Sequence, residues 1–413
     1  MDVVIGGGVG GLLAAARLAA LGRRVLLFEK RRWLGGRFTN IVQDGFTLST
    51  GALHMLPHGS RGPTAAMLEK LKIPVVIIDS DPHATIFLDG RMYTEREFRR
   101  LLSLRARFSL FWKWISLRRS VPDMSYREFI EGVGSDLLTS FTDAFSRFTF
   151  SVSSEDLPLW EALMATAYTR FYGGPGIVKG GCKSVIDGLS RYILEHNGRI
   201  CTDSPVDEIL LTSEGSVEGV SVNGEVIRCS ALISDIGPRE TLALIADRSL
   251  SPVREFEESV KGIRPVFGIK ISFSSDRSLI GHSGVMFTPE CRRVGGVVEV
   301  TAADPSLAPT GMHLYMSHQH LPRGDLTPQG VRQEIDLGLE DLGMVFQSFT
   351  EDDVLLVQTY IDEPVNRALQ GSDLDPITPI KGLYLAGDGV KDGIEVEGIA
   401  RSVETVIESI VSG

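Results

Sequence analysis

Four cysteines stand in 413 residues: Cys182, Cys201, Cys229 and Cys291. No two of them form a C-x-x-C pair. That scarcity excludes a disulfide framework, a dithiol redox centre and a zinc site. It leaves free thiols suited to a reducing compartment. Of the eight histidines, His318 and His320, in Ser-His-Gln-His, are a weak metal couple, and no metal is expected. No apolar run reaches the ~18 residues that a membrane span needs. Cations are short as well: 42 Lys and Arg against 53 Asp and Glu give a net charge of −11, which excludes nucleic acid as the main partner. No Ser-His-Asp set or carboxylate pair marks a hydrolase.

What is present is ordinary in bulk and specific at one end. An apolar content of 43% and a charged content of 23% fit a soluble globular chain of two domains, or of one domain with a large insertion. Val3 to Ile5 reads as a strand buried on both faces of a parallel sheet. Gly6, Gly8 and Gly11 follow at the G-x-G-x-x-G spacing, with Val9 and Gly10 inside the turn. A helix is expected from Leu12 to Leu21, ending at Gly22. A second strand, Val25 to Phe28, closes on Glu29, 18 residues beyond the third glycine. Gly6 permits the tight turn, Gly8 lets backbone approach a pyrophosphate, and Gly11 lets helix and strand pack closely. The helix N-terminus offers unpaired N–H groups to the phosphates, and Glu29 can accept from ribose hydroxyls. Because the fingerprint starts at residue 3, no cleavable signal is expected and the expected location is cytoplasmic.

After Glu29 come Lys30 and, a little further on, Gly35-Gly36-Arg37, a sharp bend carrying a cation directed back at the dinucleotide. Here the chain resembles the superfamily of flavoproteins that unites phytoene desaturases and flavin-containing amine oxidases. The resemblance implies FAD rather than NAD. It implies an α/β fold, with a discontinuous FAD-binding Rossmann-like domain (residues 1–70, 172–245 and 375–413) and an inserted α+β substrate-binding domain (71–171 and 246–374). Residues 45–59 resemble the element that passes the isoalloxazine ring, placing Gly51 and His54 near the flavin; His54 is then either a capped loop histidine or a catalytic one. Lys179-Gly180-Gly181 stands where relatives carry Pro-Gly-Gly, and Val206 is the strand residue whose backbone would pack against adenine. Gly387-Asp388 resembles the element whose carboxylate reaches a ribityl hydroxyl or the pyrophosphate. A final helix, starting near Glu397-Gly398, would point its positive end at the flavin, with Val396 among the cofactor-binding residues. Gly393-Ile394-Glu395-Val396-Glu397-Gly398 replaces the Gly-Ile-Pro of many relatives, and its two acids are expected to turn away from the ring. There is no second G-x-G-x-x-G, so no separate NAD(P)H domain is expected.

Lys270 sits in an alternating stretch in which Ile269, Ile271 and Phe273 face one way and Gly268, Lys270 and Ser272 the other. The pattern alone suggests a solvated lysine. The resemblance implies instead one that holds a water near flavin N5.

Between these motifs, Pro74 to Ile78 reads as a strand, and hairpins are expected to turn at Asp89-Gly90 and Asn223-Gly224. Helices should dominate to Arg170. Arg91 to Ser120 carries nine cations and two acids, a net +7 in an acidic chain. Leu101, Leu104, Phe108, Phe111 and Ile115 recur there at helical spacing, with Trp112 and Trp114 among the cations. Such a helix either turns its apolar face into the core or lies on an anionic membrane surface. The resemblance implies hydride transfer between a small apolar, isoprenoid- or carotenoid-like substrate and flavin N5. An amine oxidase, a porphyrinogen oxidase and a non-enzymatic prenyl-binding protein similar to GDP-dissociation inhibitors remain open.

Overall fold

The computed structural model describes residues 1–324, 326–367, 369, 372–391 and 395–412. Its first layer is a five-stranded parallel sheet in the order Arg199–Cys201, Val25–Phe28, Asp2–Ile5, Ala231–Ser234, Leu383–Leu385. The three inner strands are short and almost wholly buried, as a parallel sheet covered on both faces requires, while the edge strand Arg199–Cys201 is partly exposed. Val4, Leu27 and Ile233 point to one side and pack with the helices Val9–Ala20, Lys183–Glu195 and Glu395–Ser412. Val3, Ile5, Phe28 and Leu232 point to the other, against the meander Val206–Leu211, Val217–Val222, Glu225–Arg228 and the helix Ser251–Lys261. The helix after the glycines begins at Val9, three residues earlier than expected, because Gly8 already has extended geometry and serves as its N-cap.

The second layer is a seven-stranded sheet in the order Val354–Tyr360, Phe267–Ser275, His313–Leu321, Val294–Glu299, Val285–Phe287, Ala84–Leu88, Arg91–Thr94. It is antiparallel except where Val285–Phe287 runs parallel to Ala84–Leu88. Ile269, Ile271 and Phe273 pack beneath the helix Pro328–Val345. The opposite face meets the strand Phe46–Ser49 through Met316 and Leu314. Lys270 is on that face, and it is buried. Both expected hairpins form, with Asp89, Gly90, Asn223 and Gly224 all at positive φ, the geometry that a two-residue type I′ turn needs.

Two expectations fail. The strand read over Pro74–Ile78 starts only at Ile77. Lys72 is left-handed and Val75 N–H bonds to Ile73 O, so the chain is still turning out of the preceding helix. The resulting strand, Ile77–Asp79, pairs with Gly176–Val178 rather than with the seven-stranded sheet. The cationic stretch is also not one helix. Glu95–Leu101 ends at Leu102, Ser103 caps a new helix by accepting from Ala106 N–H (3.1 Å), and that helix runs Leu104–Leu117. Its apolar stripe does not enter the core: Leu104 is 81%, Phe108 64% and Phe111 58% exposed. The inward side is Ala106, Leu110 and Leu117, packed on Phe129, Ile130, Leu159 and Leu163. Among the described residues no helix is long and apolar enough to cross a membrane.

Candidate active site

The glycine turn leads from the strand Asp2–Ile5 into a helix N-terminus whose N-cap, Gly8, has no side chain to close it. Gly6 takes φ 98°, which only glycine adopts readily. A Cβ on Gly11 would run into the carbonyl oxygen of Gly6, so the close packing of turn and helix needs that glycine. Gly35 N–H donates to Gly7 O (2.7 Å), and Gly36 lies against Gly8. Gly10 meets Gly387: a Cβ there would be 2.8 Å from the Gly387 N and Cα atoms. Gly387-Asp388, 376 residues beyond Gly11 in sequence, thus closes the far side of the cradle. Glu29 accepts from Gly7 N–H (2.7 Å) through Oε2 and from Arg31 N–H (2.8 Å) through Oε1, leaving further lone pairs on both oxygens. Ser204 N–H donates to Glu29 O (2.9 Å), which brings the stretch before Val206 alongside. Lys30 is exposed.

The charged groups below the cradle are paired with one another. Arg37 donates to Asp388 Oδ2 (2.6 Å) and to the carbonyls of Pro364 and Val365. Asp388 Oδ2 also accepts from Arg367 N–H (2.8 Å). The Arg37 cation therefore anchors the 364–367 segment and Asp388, instead of reaching freely toward a phosphate as its position in the sequence suggested.

Lys270 and His54 are both buried and bonded to backbone. Lys270 is fully buried, so it is not a solvated surface residue. Its Nζ donates to Ser49 O (2.8 Å), Ser49 Oγ (2.6 Å) and Gly51 O (3.3 Å). All three bonds go to the loop that precedes His54, the stretch read as passing the isoalloxazine ring. Lys270 pins the Ser49–Gly51 loop, and burial without an acid partner pushes its pKa down to about 7. Gly51 in turn packs on the backbone of Arg37. His54 is fully buried. Cys182 N–H donates to His54 Nδ1 (3.1 Å), so the proton sits on Nε2 and is donated to Thr47 O (2.9 Å). Burial lowers its pKa to about 4. A neutral ring with both nitrogens bonded to backbone ties the 47–54 segment to the start of the helix Lys183–Glu195.

At the last helix, Val396 is buried and its carbonyl accepts from Thr64 Oγ1 (3.1 Å). Glu397 points into the protein, accepting from Thr64 N–H (2.8 Å) and His58 N–H (3.3 Å). Glu395 is exposed. Gly393 and Ile394 lie outside the described residues.

One residue in the cradle carried no expectation. Asp235 follows the strand Ala231–Ser234, and its carboxyl lies among Gly6, Gly8, Gly10, Gly11 and Gly387. Its Oδ2 is buried without a partner. An acid directly after a buried parallel strand, at the carboxyl end where such sheets bind ligands, was the available signal. Beside the cradle opens a cavity of about 940 Å³, whose lining includes Arg37, Thr50 and Gln358 on one side and Val331 and Ile335 on the other.

The residues present fit a flavin dinucleotide. The N–H groups at the helix N-terminus and the lone pairs of Glu29 match diphosphate and ribose. Together fold and cradle define an FAD-dependent oxidoreductase. Comparisons give the family. Residues 4–71 match the NAD(P)-binding Rossmann-like domain family. The chain is 39% identical over 414 residues to the uncharacterized protein MJ1488 of Methanocaldococcus jannaschii, covering 99% of each. It is 38% identical to an oxidoreductase from Methanosarcina mazei, covering 98% of this chain and 99% of that one, with a TM-score of 0.93. It is 21% identical to the neurosporene-forming phytoene desaturase of Rhodobacter capsulatus, over 99% of this chain and 93% of that protein. The chain belongs to the superfamily of phytoene desaturases and flavin-containing amine oxidases.

Proposed function

We propose that this oxidoreductase acts on an apolar, isoprenoid-like carbon chain, and that it collects the substrate at an anionic lipid surface. The observation that carries the reading is the outward face of Leu104–Leu117. Apolar side chains exposed on a helix normally mark a contact. Here Leu104, Phe108, Phe111 and Trp112 stand out among Arg100, Arg105, Arg118 and Arg119. The helix Leu159–Tyr172, which shares its inner cluster, exposes Trp160, Met164 and Phe171 at helical spacing (Phe171 by 76%). Aromatics that enter the interface, ringed by cations that meet lipid headgroups, are the ingredients of a peripheral membrane contact. Each such cation contributes about 1 kcal/mol near an anionic surface. The similarity to a phytoene desaturase supports the substrate class.

When bound, FAD supplies the electron chemistry, taking a hydride from a substrate carbon or returning one. The chain's part is to bind and orient. Glu29 and the glycine turn hold the dinucleotide, Lys270 fixes the Ser49–Gly51 loop, and Val331 and Ile335 form an apolar wall of the adjoining cavity.

The test is anaerobic bleaching of the flavin by isoprenoid hydrocarbons carried in anionic vesicles. Bleaching should weaken at 1 M salt, where screening shortens to about 3 Å. It should also weaken in a variant with Arg100, Arg105, Arg118 and Arg119 changed to Gln. Bleaching by water-soluble amines alone would overturn the proposal in favour of an amine oxidase.

A further inference from the structure

We infer that Asp235 binds the FAD diphosphate as a neutral carboxylic acid, so that cofactor uptake carries one proton with it. The inference rests on FAD as cofactor and not on the substrate proposed above. Its basis is position. The carboxyl lies where the turn, the helix N-terminus and the Gly387 backbone converge: a Cβ on Gly8 would strike Asp235 Oδ2, and a Cβ on Gly10 would strike Oδ1. That oxygen is buried without a hydrogen-bond partner. An ionised carboxylate aimed at a diphosphate would set like charges together in a poorly solvated site. A protonated one offers an O–H to a phosphate oxygen instead.

The surroundings favour the neutral form. Burial is the largest influence and raises the pKa of Asp235 from 3.8 to about 7. Gly11 N–H, Arg367 and Arg37 act in the opposite direction, and Glu29 adds to the rise. The two guanidiniums are largely spoken for: Arg37 is paired with Asp388, and Arg367 with Glu240 on the helix Pro238–Ala243. The glycine turn itself brings no titratable side chain. The proton comes from solvent and remains on the carboxyl, and no bond to phosphorus is made or broken.

The experiment is FAD binding to apoprotein from pH 6 to pH 9, by flavin fluorescence and by calorimetry in two buffers of different ionisation enthalpy. The diphosphate diester does not titrate in this range. Wild-type affinity should fall by up to tenfold per pH unit above about 7, the limit for one linked proton, and about one proton should be taken up per FAD at pH 8. Asp235→Asn, which keeps the shape and can donate an N–H, should bind with little pH dependence and little proton uptake. Flat wild-type affinity with no proton uptake overturns the assignment, as does an Asp235→Asn profile that falls like the wild type. If neither protein binds FAD at pH 6, the cofactor assignment fails, and this inference with it.

Discussion

Two helices in this molecule carry nine apolar side chains each and are opposite in fate. Val9–Ala20 is buried at every position from Val9 to Ala19. Leu104–Leu117 is buried only at Ala106. The first is built from Gly, Ala, Val and Leu and fits between a parallel sheet and two other helices. Its one cation, Arg17, is matched by Glu404, with Nε to Oε1 at 2.9 Å and Nη2 to Oε2 at 3.0 Å. The second carries four aromatic side chains and three cations, and it offers the core only a narrow inner seam. Apolar content therefore does not fix burial. Side-chain size and the distribution of charge around the helix do.

Three substitutions would break or sharpen that contrast. Leu13→Ala removes a fully buried side chain from the first helix. It should cost about 3 kcal/mol in urea unfolding, within the usual range for core truncations; a loss under about 1 kcal/mol would mean that the helix is not held as described. Lys270→Met tests the cost of charge inside against charge outside. With Lys270 lowered to about 7 when folded and near 10.4 when unfolded, the unfolded chain binds more protons between those values. Stability should therefore rise with pH across that window, by up to about 1.4 kcal/mol per unit. Methionine should flatten the slope, and an unchanged slope would assign it to other groups. Phe108→Ala, on the outer helix, should change stability by no more than about 0.5 kcal/mol while weakening co-sedimentation with anionic vesicles. A large loss of stability would place Phe108 in the core after all.

The parts of the molecule that could be read in advance are those in which neighbours in sequence are neighbours in space. The strand, glycine turn, helix, strand and acid of residues 3–29 form one contiguous unit, and Asp89-Gly90 and Asn223-Gly224 dictate their own turns. The stripe on Leu104–Leu117 was equally plain, but periodicity fixes a stripe and not the direction it faces. Lys270 and His54 resisted because their partners are remote: Lys270 meets Ser49, 221 residues away, and His54 meets Cys182, 128 residues away. Asp235 was missed for the same reason: Gly10 and Gly387, which meet its carboxyl, are remote from it in sequence.

The order of the strands in the parallel sheet has a bearing on synthesis. Asp2–Ile5 is the central strand, and its neighbours are Val25–Phe28 and Ala231–Ser234. The edge strand Leu383–Leu385 and the helix Glu395–Ser412 complete the same layer. At ribosomal rates the first strand emerges roughly 20 to 80 s before the edge strand is made. Through that interval the cradle lacks Gly387 and Asp388, and apolar surface on the first βαβ unit stays uncovered. A nascent chain has no finished place for FAD, so cofactor loading belongs after translation.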